Sequence, residues 1–180
     1  WQLEDLAAEP TDRTRAAIIT NITEDHLYRH GSRAAYIDAK KNIFIHQKKS
    51  DVLILNYDDP LVQKFGAEAK GVVYYFSARH ELAAVIAEAS RYQVGAFMAK
   101  GSVRYGRTNE ELLPVARIPL PGDHNLMNVL AAATAARVLE VPPKLIAEAI
   151  SGFQPLRHRL ELVAEIDGVK YINDTTATNP

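Results

Sequence analysis

The sequence lacks several features that define whole classes of protein. It contains no cysteine, which excludes disulfides, thiolate nucleophiles and cysteine-based zinc sites and suits a cytoplasmic location. It has no apolar run approaching the roughly 20 residues that a bilayer span requires, so the pattern excludes a membrane protein. Lysine plus arginine (21) nearly balances aspartate plus glutamate (22), so charge gives no reason to expect nucleic-acid binding.

The length favours one domain and part of another. The chain has 180 residues, against roughly 150 for a typical domain. Its 47 % apolar and 24 % charged residues are an ordinary globular balance. It begins at Trp1 without a methionine or a signal peptide, and it ends directly after a motif-like run. We therefore expect a fragment of a longer protein.

Apolar runs that alternate with helical segments predict an α/β fold in the first half of the chain. The predicted buried strands and the helices between them lie at 16–22, 33–46, 51–56, 61–69 and 72–76. Ser32 is the expected cap of the first of these helices. Such alternation is typical of βαβ crossovers, and it predicts a parallel sheet flanked by helices.

The second half changes character. Extended segments at 95–105 and 113–120 predict a small antiparallel meander. A helix at 125–140 is apolar almost all round, so we expect it to be deeply buried. The remaining predicted elements are a helix closed by Gly152, a linker, and two strands joined by an Asp167-Gly168 hairpin turn, at 144–150, 154–157, 160–166 and 169–172.

The first candidate site follows the first strand, at the carboxyl edge of the predicted sheet, where open α/β proteins bind ligands. Residues 21–31 include two carboxylates, two imidazoles and an asparagine, which suit a metal or an anionic substrate. His26 and His30 are four residues apart, but Glu24 precedes both, so this is not the His-Glu-x-x-His zinc signature. A polar connecting loop with a helix cap is the alternative.

Lys40 lies in the middle of an apolar helical stripe. The residues three and four positions away on either side are apolar, whereas the adjacent Lys41 falls off the stripe. A lysine there either extends to solvent or is held for chemistry. Burial lowers a lysine pKa, and a neutral amine can react with carbon dioxide to give a carbamate able to bind magnesium. The pattern alone leaves both interpretations open.

Three further clusters carry polar groups. Asn125 and Asn128 share a face at the start of a helix, and their amides match the edge of a nucleobase; capping by Asp123 or Asn125 is the alternative. The run Arg157-His158-Arg159 follows the linker, where its arginines suit either phosphate or a solvated turn. The hydroxyl-rich run at 173–178 is weak evidence alone, because such residues dominate ordinary loops.

Together these segments carry one resemblance. The matching stretches, in order, are Trp1-Gln2-Leu3-Glu4, 21–27, Tyr36-Ile37-Asp38-Ala39-Lys40, His124-Asn125, His158-Arg159-Leu160-Glu161 and 173–178. They resemble the Mur ligases, the ATP-dependent amide-forming enzymes of peptidoglycan precursor synthesis, and the resemblance covers the whole chain.

The later stretches favour one branch of that family. His158-Arg159-Leu160-Glu161 and Asn173-Asp174-Thr175 resemble the branch that adds D-glutamate to UDP-N-acetylmuramoyl-L-alanine through an acyl phosphate. The tripeptide-stage ligase and folylpolyglutamate synthase tend to carry other sequences after the linker. The alternatives are another Mur-type or folylpolyglutamate-synthase-like ligase, or a non-catalytic nucleotide-binding domain.

The resemblance implies roles for residues on the substrate and metal side. His26 would lie beside magnesium and a substrate carboxylate. Lys40, as a carbamate, would help to hold that magnesium, and Thr178 would lie near the incoming D-glutamate. Tyr28 and Thr176 depart from the pattern, since many relatives have aspartate and lysine at these positions.

On the nucleotide side, the resemblance implies that Asn125 and Asn128 face the adenine of ATP. Arg159 would reach the ATP phosphates from the domain junction as a third catalytic residue beside Lys40 and His26, and Asp174 would hold the ribose.

The same resemblance implies a domain organisation. Residues 1–154 would be the later part of a central ATP-binding domain, and residues 155–180 the linker and first hairpin of a Rossmann-like C-terminal domain. No Gly-x-x-x-x-Gly-Lys-Thr/Ser run is present, so we expect the fragment alone to be inactive. The expected partners are ATP, magnesium, D-glutamate and UDP-N-acetylmuramoyl-L-alanine, bound by a cytoplasmic monomer that needs neither nucleic acid nor membrane.

Overall fold

The computed structural model describes residues 2–5, 13–23 and 30–175. Its main sheet has six strands that neighbour one another in chain order: β1 (Ala16–Ile19), β2 (Val52–Asn56), β3 (Val72–Ser77), β4 (Gln93–Ala99), β5 (Ser102–Tyr105) and β6 (Glu110–Pro114). The first four strands are parallel, and the last two add an antiparallel meander. This confirms the predicted α/β sheet.

Helices flank the sheet. The described ones are α1 (Gln2–Asp5), α2 (Arg33–Ile45), α3 (Pro60–Glu68), α4 (Leu82–Val85), α5 (Asp123–Val138) and α6 (Pro143–Ser151). The predicted cap of α2 is confirmed, because Ser32 Oγ accepts a hydrogen bond from Ala35 N at 3.1 Å. Within the described ranges, no helix is long and apolar enough to cross a membrane.

The sheet is buried on both faces. Leu53 and Leu55 of β2 point into one core with α2, α3 and α4, whereas Ile54 between them points into a second core with α5 and α6. Such a continuous apolar run is what a parallel strand covered on both sides requires. The polar ends of the parallel strands therefore emerge at one edge, between two layers of helices.

The predicted meander has the right topology but the wrong boundaries. The segment 95–105 is not one strand, because Lys100 and Gly101 adopt positive φ and turn the chain from β4 into β5. The predicted strand at 113–120 is also wrong: β6 ends at Pro114, and a 3-10 turn, Val115–Arg117, follows. Proline has no N–H for a ladder hydrogen bond, so strand pairing stops there.

The expectation that the apolar helix is buried all round is partly wrong. In α5, Leu130 and Ala133 are buried, whereas Asn128 and Ala132 are exposed. Alanine occurs on both buried and exposed faces of helices, so the alanines of α5 did not show which face of the helix packs against the sheet.

The chain ends in a separate two-stranded sheet formed by β7 (Glu161–Ile166) and β8 (Val169–Asn173). Its turn is the predicted one. Asp167 and Gly168 both have positive φ, at 52° and 78°, as the tight hairpin turns that match strand twist require.

Gly95 allows α5 to lie close against the sheet. A Cβ at this position would lie 2.6 Å from the Tyr75 carbonyl oxygen and 2.7 Å from Cγ2 of Thr134. Thr134 Oγ1 in turn accepts a hydrogen bond from Ala96 N at 2.8 Å. The close approach of strand and helix therefore depends on the missing side chain.

We expect Gly95→Ala to lower the free energy of unfolding by about 1–3 kcal/mol, the usual cost of overpacking a core. Urea denaturation monitored by circular dichroism measures this as a lower midpoint at an unchanged slope. A midpoint equal to that of the unsubstituted protein would contradict the close-approach interpretation.

Candidate functional site

Polar residues gather where β2 and β3 end. Asp58, after β2, accepts hydrogen bonds from Ser77 Oγ and from Ala78 N at 2.7 Å, and its Oδ1 lies 2.9 Å from Nδ1 of His80. Asp58 therefore joins the ends of two neighbouring strands. Sequence reasoning missed this cluster, although the Asp58-Asp59-Pro60 run just after a buried strand was the available signal.

The same loop holds the end of β1. Asn56 Nδ2 donates to the Thr20 carbonyl at 2.8 Å, and Asp59 Oδ2 accepts from Ile22 N at 3.2 Å. Asn56 Nδ2 also lies 3.6 Å from Sδ of Met127, in α5. The carboxyl edge of the sheet is thus tied to the first turns of α5.

The start of α5 is formed by a glycine. Gly122 is the N-cap residue with φ of 93°, and no side chain caps the helix. A Cβ there would lie 2.8 Å from the His124 ring, so a residue without a side chain fits. The alternative in which Asp123 or Asn125 caps the helix is wrong. Asn125 Nδ2 instead donates to the Pro121 carbonyl at 2.7 Å.

Three predicted residues line one cavity. Asn125 and Asn128 of α5 share with Arg159, from the segment after α6, a cavity of about 190 Å³. Its other walls are mostly apolar: Leu120, Pro121, Phe153, Pro155, Leu156 and Leu160. Two amides over apolar walls suit a planar ring with polar edges, and the guanidinium adds a cation at the same cavity.

A second cavity continues the first. It measures about 260 Å³, and Leu120, Asn128 and Phe153 line both. Its remaining walls come from α5 and α6 and are apolar. The two cavities form a cleft between α5 and the segment that leads into the β7–β8 hairpin.

The turn that carries Arg159 is held by its own side chains. His158 and Leu160, on either side, have positive φ. Glu161 Oε2 accepts from His158 N at 2.7 Å, and Asp174 Oδ1 accepts from Leu160 N at 3.2 Å. Asp174 therefore lies beside the Arg159 turn, and the ribose-binding role expected for it stays a prediction.

Lys40 lies on the other face of the sheet. It is partly buried on α2, and its Nζ lies 5.3 Å from the centre of the Tyr36 ring. Lys41 also makes contacts, although it falls off the apolar stripe of α2. Lys41 Nζ lies 2.9 Å from Glu68 Oε2 and 5.1 Å from the centre of the Phe65 ring, so it contacts α3.

Part of the predicted site is not tested by the structure. His26 and Thr178 lie outside the described residues. Within the described ranges, no three or more histidine, aspartate or glutamate side chains are grouped to hold a metal ion. The nucleotide-side residues Asn125, Asn128 and Arg159 are brought together, and Lys40 is not among them.

Comparison with known proteins identifies the family of the chain. The profile of the Mur ligase middle domain matches residues 6–136. A UDP-N-acetylmuramoylalanine–D-glutamate ligase of Acidobacterium capsulatum is 40 % identical over 188 residues, covering 99 % of this chain and 39 % of the relative. The same-named enzyme of Ruminiclostridium cellulolyticum is 40 % identical over 169 residues, covering 94 % of this chain and 34 % of the relative. The chain thus spans less than two fifths of these relatives' length.

Solved structures share the fold. MurF from Acinetobacter baumannii superposes with a TM-score of 0.67 at 22 % identity, over 94 % of this chain and 36 % of that one. A pseudomurein peptide ligase type C from Methanothermus fervidus gives 0.64 at 23 % identity, over 91 % and 38 %. The sheet, the flanking helices and the matched profile lead to one conclusion: this chain belongs to the Mur ligase family, whose middle-domain profile covers residues 6–136.

Proposed function

We propose that the chain is the nucleotide-side part of an ATP-dependent ligase that joins D-glutamate to UDP-N-acetylmuramoyl-L-alanine, acting in the cytoplasm as a monomer. The observation that carries the proposal is the cavity shared by Asn125, Asn128 and Arg159. The names of the curated relatives at 40 % identity support the choice of D-glutamate.

The cavity suits the adenine end of ATP. Asn128 is exposed at its rim, and Asn125 donates through Nδ2 to the Pro121 carbonyl, which holds its amide in one orientation. An amide oxygen accepts a hydrogen bond and an amide N–H donates one, the two functions that an adenine edge requires. The apolar walls then cover the faces of the ring.

The proposed reaction has two steps. The alanine carboxylate attacks the γ-phosphorus of ATP, which forms an acyl phosphate and releases ADP. The amine of D-glutamate then attacks the acyl carbon, and phosphate leaves. Two anions meet in the first step, so positive charge is needed where they approach. Arg159 supplies a planar cation that can bind two phosphate oxygens.

The described residues alone do not indicate a magnesium site. They contain no grouped set of three or more acidic or histidine ligands, and an uncarbamylated Lys40 would repel the ion. As a carbamate, Lys40 would supply one anionic oxygen of the kind that magnesium prefers. We therefore assign no step of the reaction to the metal.

We also propose that the β7–β8 hairpin opens a second domain, from about residue 155. Apolar side chains are exposed along the hairpin, including Leu162, Val163 and Ile172 at 56 %, 65 % and 55 %. A two-stranded hairpin is marginal by itself, and such an apolar surface is normally covered. The remaining part of a C-terminal domain would cover it.

The proposed function is tested on a full-length ligase that carries this segment. With ATP and UDP-N-acetylmuramoyl-L-alanine, phosphate release is expected with D-glutamate and not with L-lysine, meso-diaminopimelate or L-glutamate. Release with another amino acid in place of D-glutamate would assign the chain to a different Mur ligase.

A second candidate is a nucleotide-binding domain without turnover, and the absence of a Gly-x-x-x-x-Gly-Lys-Thr/Ser run favours it for the 180-residue chain alone. Calorimetric titration with ATP is expected to show weak or no binding by this chain, no turnover, and tight binding by the full-length ligase. Turnover by the 180-residue chain would show that the reaction does not need a Gly-x-x-x-x-Gly-Lys-Thr/Ser run.

A further inference from the structure

We propose that Asn56 and Asp59 are positioning residues that fix the end of β1, Asn56 against α5 and Asp59 against the start of α3. Neither contacts the cavity described above. The inference rests on the proposed function, because its kinetic test measures D-glutamate ligation.

Asn56 connects three elements through one buried amide. It is 2 % exposed. Its Nδ2 donates to the carbonyl of Thr20, the residue after β1, and its Oδ1 accepts from Asp58 N at 2.9 Å. The same Nδ2 lies 3.6 Å from Sδ of Met127, which stands between Asn125 and Asn128 in the sequence. Asn56 therefore contacts both the end of β1 and the first turns of α5.

Asp59 divides its two oxygens between two segments. Its Oδ1 caps α3 by accepting from Leu61 N at 2.9 Å and Val62 N at 3.2 Å, and its Oδ2 accepts from Ile22 N at 3.2 Å. Ile22 is itself 8 % exposed. One carboxylate therefore fixes the backbone that leaves β1 relative to a rigid helix end.

The location gives these contacts a functional consequence. Thr20 and Ile22 lie at the carboxyl edge of the parallel sheet, where open α/β proteins bind ligands. The segment 21–27, one of those that carry the family resemblance, begins at this edge. A displacement of about 1 Å between reacting groups can reduce a rate by roughly 100-fold. Loosening either anchor should therefore slow the chemical step more than it weakens nucleotide binding.

Asp59→Asn separates the two functions of this side chain. Asparagine is as good a cap as aspartate, so Oδ1 keeps the hydrogen bonds to Leu61 and Val62. Its Nδ2 then faces Ile22 N, a donor against a donor, and that hydrogen bond is lost. In the full-length ligase we expect kcat to fall about 10- to 100-fold, with the KM for ATP changed by less than about 2-fold.

Two further measurements separate positioning from stability. Amide exchange of Ile22 is expected to accelerate about 10-fold or more in Asp59→Asn, while Leu61 and Val62 keep their protection. Thr134→Val is the matched control: it removes the buried hydrogen bond to Ala96 N without touching the β1 loop. It is expected to lower the unfolding midpoint with kcat unchanged.

Asn56→Asp provides an independent check, because it keeps the acceptor for Asp58 N but sets a carboxylate oxygen against the Thr20 carbonyl. We expect a loss of kcat at least as large as in Asp59→Asn. Unchanged kcat in both variants, or a loss no larger than that of Thr134→Val, would overturn the inference.

Failure of the proposed function gives a different result. A full-length wild-type enzyme that releases no phosphate with D-glutamate would reject the function. The amide exchange rate of Ile22 would then be the only test of whether Asp59 anchors the end of β1. Faster exchange in Asp59→Asn supports the anchoring, and an unchanged rate overturns it.

Discussion

Replacing Lys40 with alanine is expected to abolish D-glutamate ligation in a full-length ligase, whereas replacing the adjacent Lys41 should leave most of it. Lys40 is partly buried on α2 beside the Tyr36 ring. Lys41 is engaged on α3 by Glu68. An exposed ion pair of this kind contributes about 0–1 kcal/mol, so its loss should lower stability slightly and leave the reaction intact.

The chemical reason concerns the sign of the charge. A lysine ammonium cannot bind magnesium, but the neutral amine adds carbon dioxide and loses a proton, which gives a carbamate with one negative charge shared by two oxygens. Alanine removes both forms. Bicarbonate or acetate should then restore part of the activity of Lys40→Ala by supplying a free carboxylate. Neither anion should alter Lys41→Ala, which makes the adjacent variant a control for effects of ionic strength.

Phosphate release in the presence and absence of each anion is the measurement, and mass spectrometry of the intact protein under carbon dioxide tests the carbamate itself. Full activity of Lys40→Ala would reject the carbamate role. Full activity would favour the other interpretation left open by the sequence, in which Lys40 extends to solvent, whereas loss of activity without any rescue would mean that a free carboxylate does not replace what Lys40 supplies.

The fold was predictable wherever the deciding contacts are local. The cap of α2 by Ser32 and the Asp167-Gly168 turn each depend on residues within four positions of one another. The buried strands were predictable for a related reason. A parallel strand covered on both faces must be apolar throughout, and Val52–Asn56 shows this in its own sequence.

Contacts between distant segments were not predictable. Lys41 falls off the apolar stripe of α2, yet α3 lies where that lysine points and offers Glu68 and Phe65. A helical wheel describes one helix and cannot include its neighbour. The end of β6 was predicted wrongly for a different reason, because the missing N–H of Pro114 is a local signal that the predicted strand at 113–120 did not take into account.

The candidate site was predictable in its residue types but not in its assembly. Asn125 and Asn128 share a face by helical geometry alone. That Arg159 meets them across a cavity depends on how the chain folds back after α6. Asn56 had no sequence signal of its own, because its importance comes from Thr20 and Met127, 36 and 71 residues away.

Arg159→Ala is expected to reduce kcat of a full-length ligase by about 10²–10³-fold, the usual cost of removing one group that stabilises transition-state charge. Arg159 lines the nucleotide cavity, and its planar guanidinium can bind two phosphate oxygens at once. Arg159→Lys keeps the charge but loses this paired geometry, so an intermediate loss is expected.

Arg157 is the matched control, two residues earlier in the same turn. Its side chain is 83 % exposed, its Nε lies 3.8 Å from Oε1 of Glu161, and it does not line the cavity. Arg157→Ala should therefore keep kcat and the KM for ATP close to wild type. Steady-state kinetics with ATP varied at saturating D-glutamate separates the outcomes, because a residue that stabilises transferred charge lowers kcat, whereas one that only binds nucleotide raises KM. Equal losses in Arg157→Ala and Arg159→Ala would mean that the turn contributes general positive charge, and the cavity would then not be the reason for the arginine at position 159.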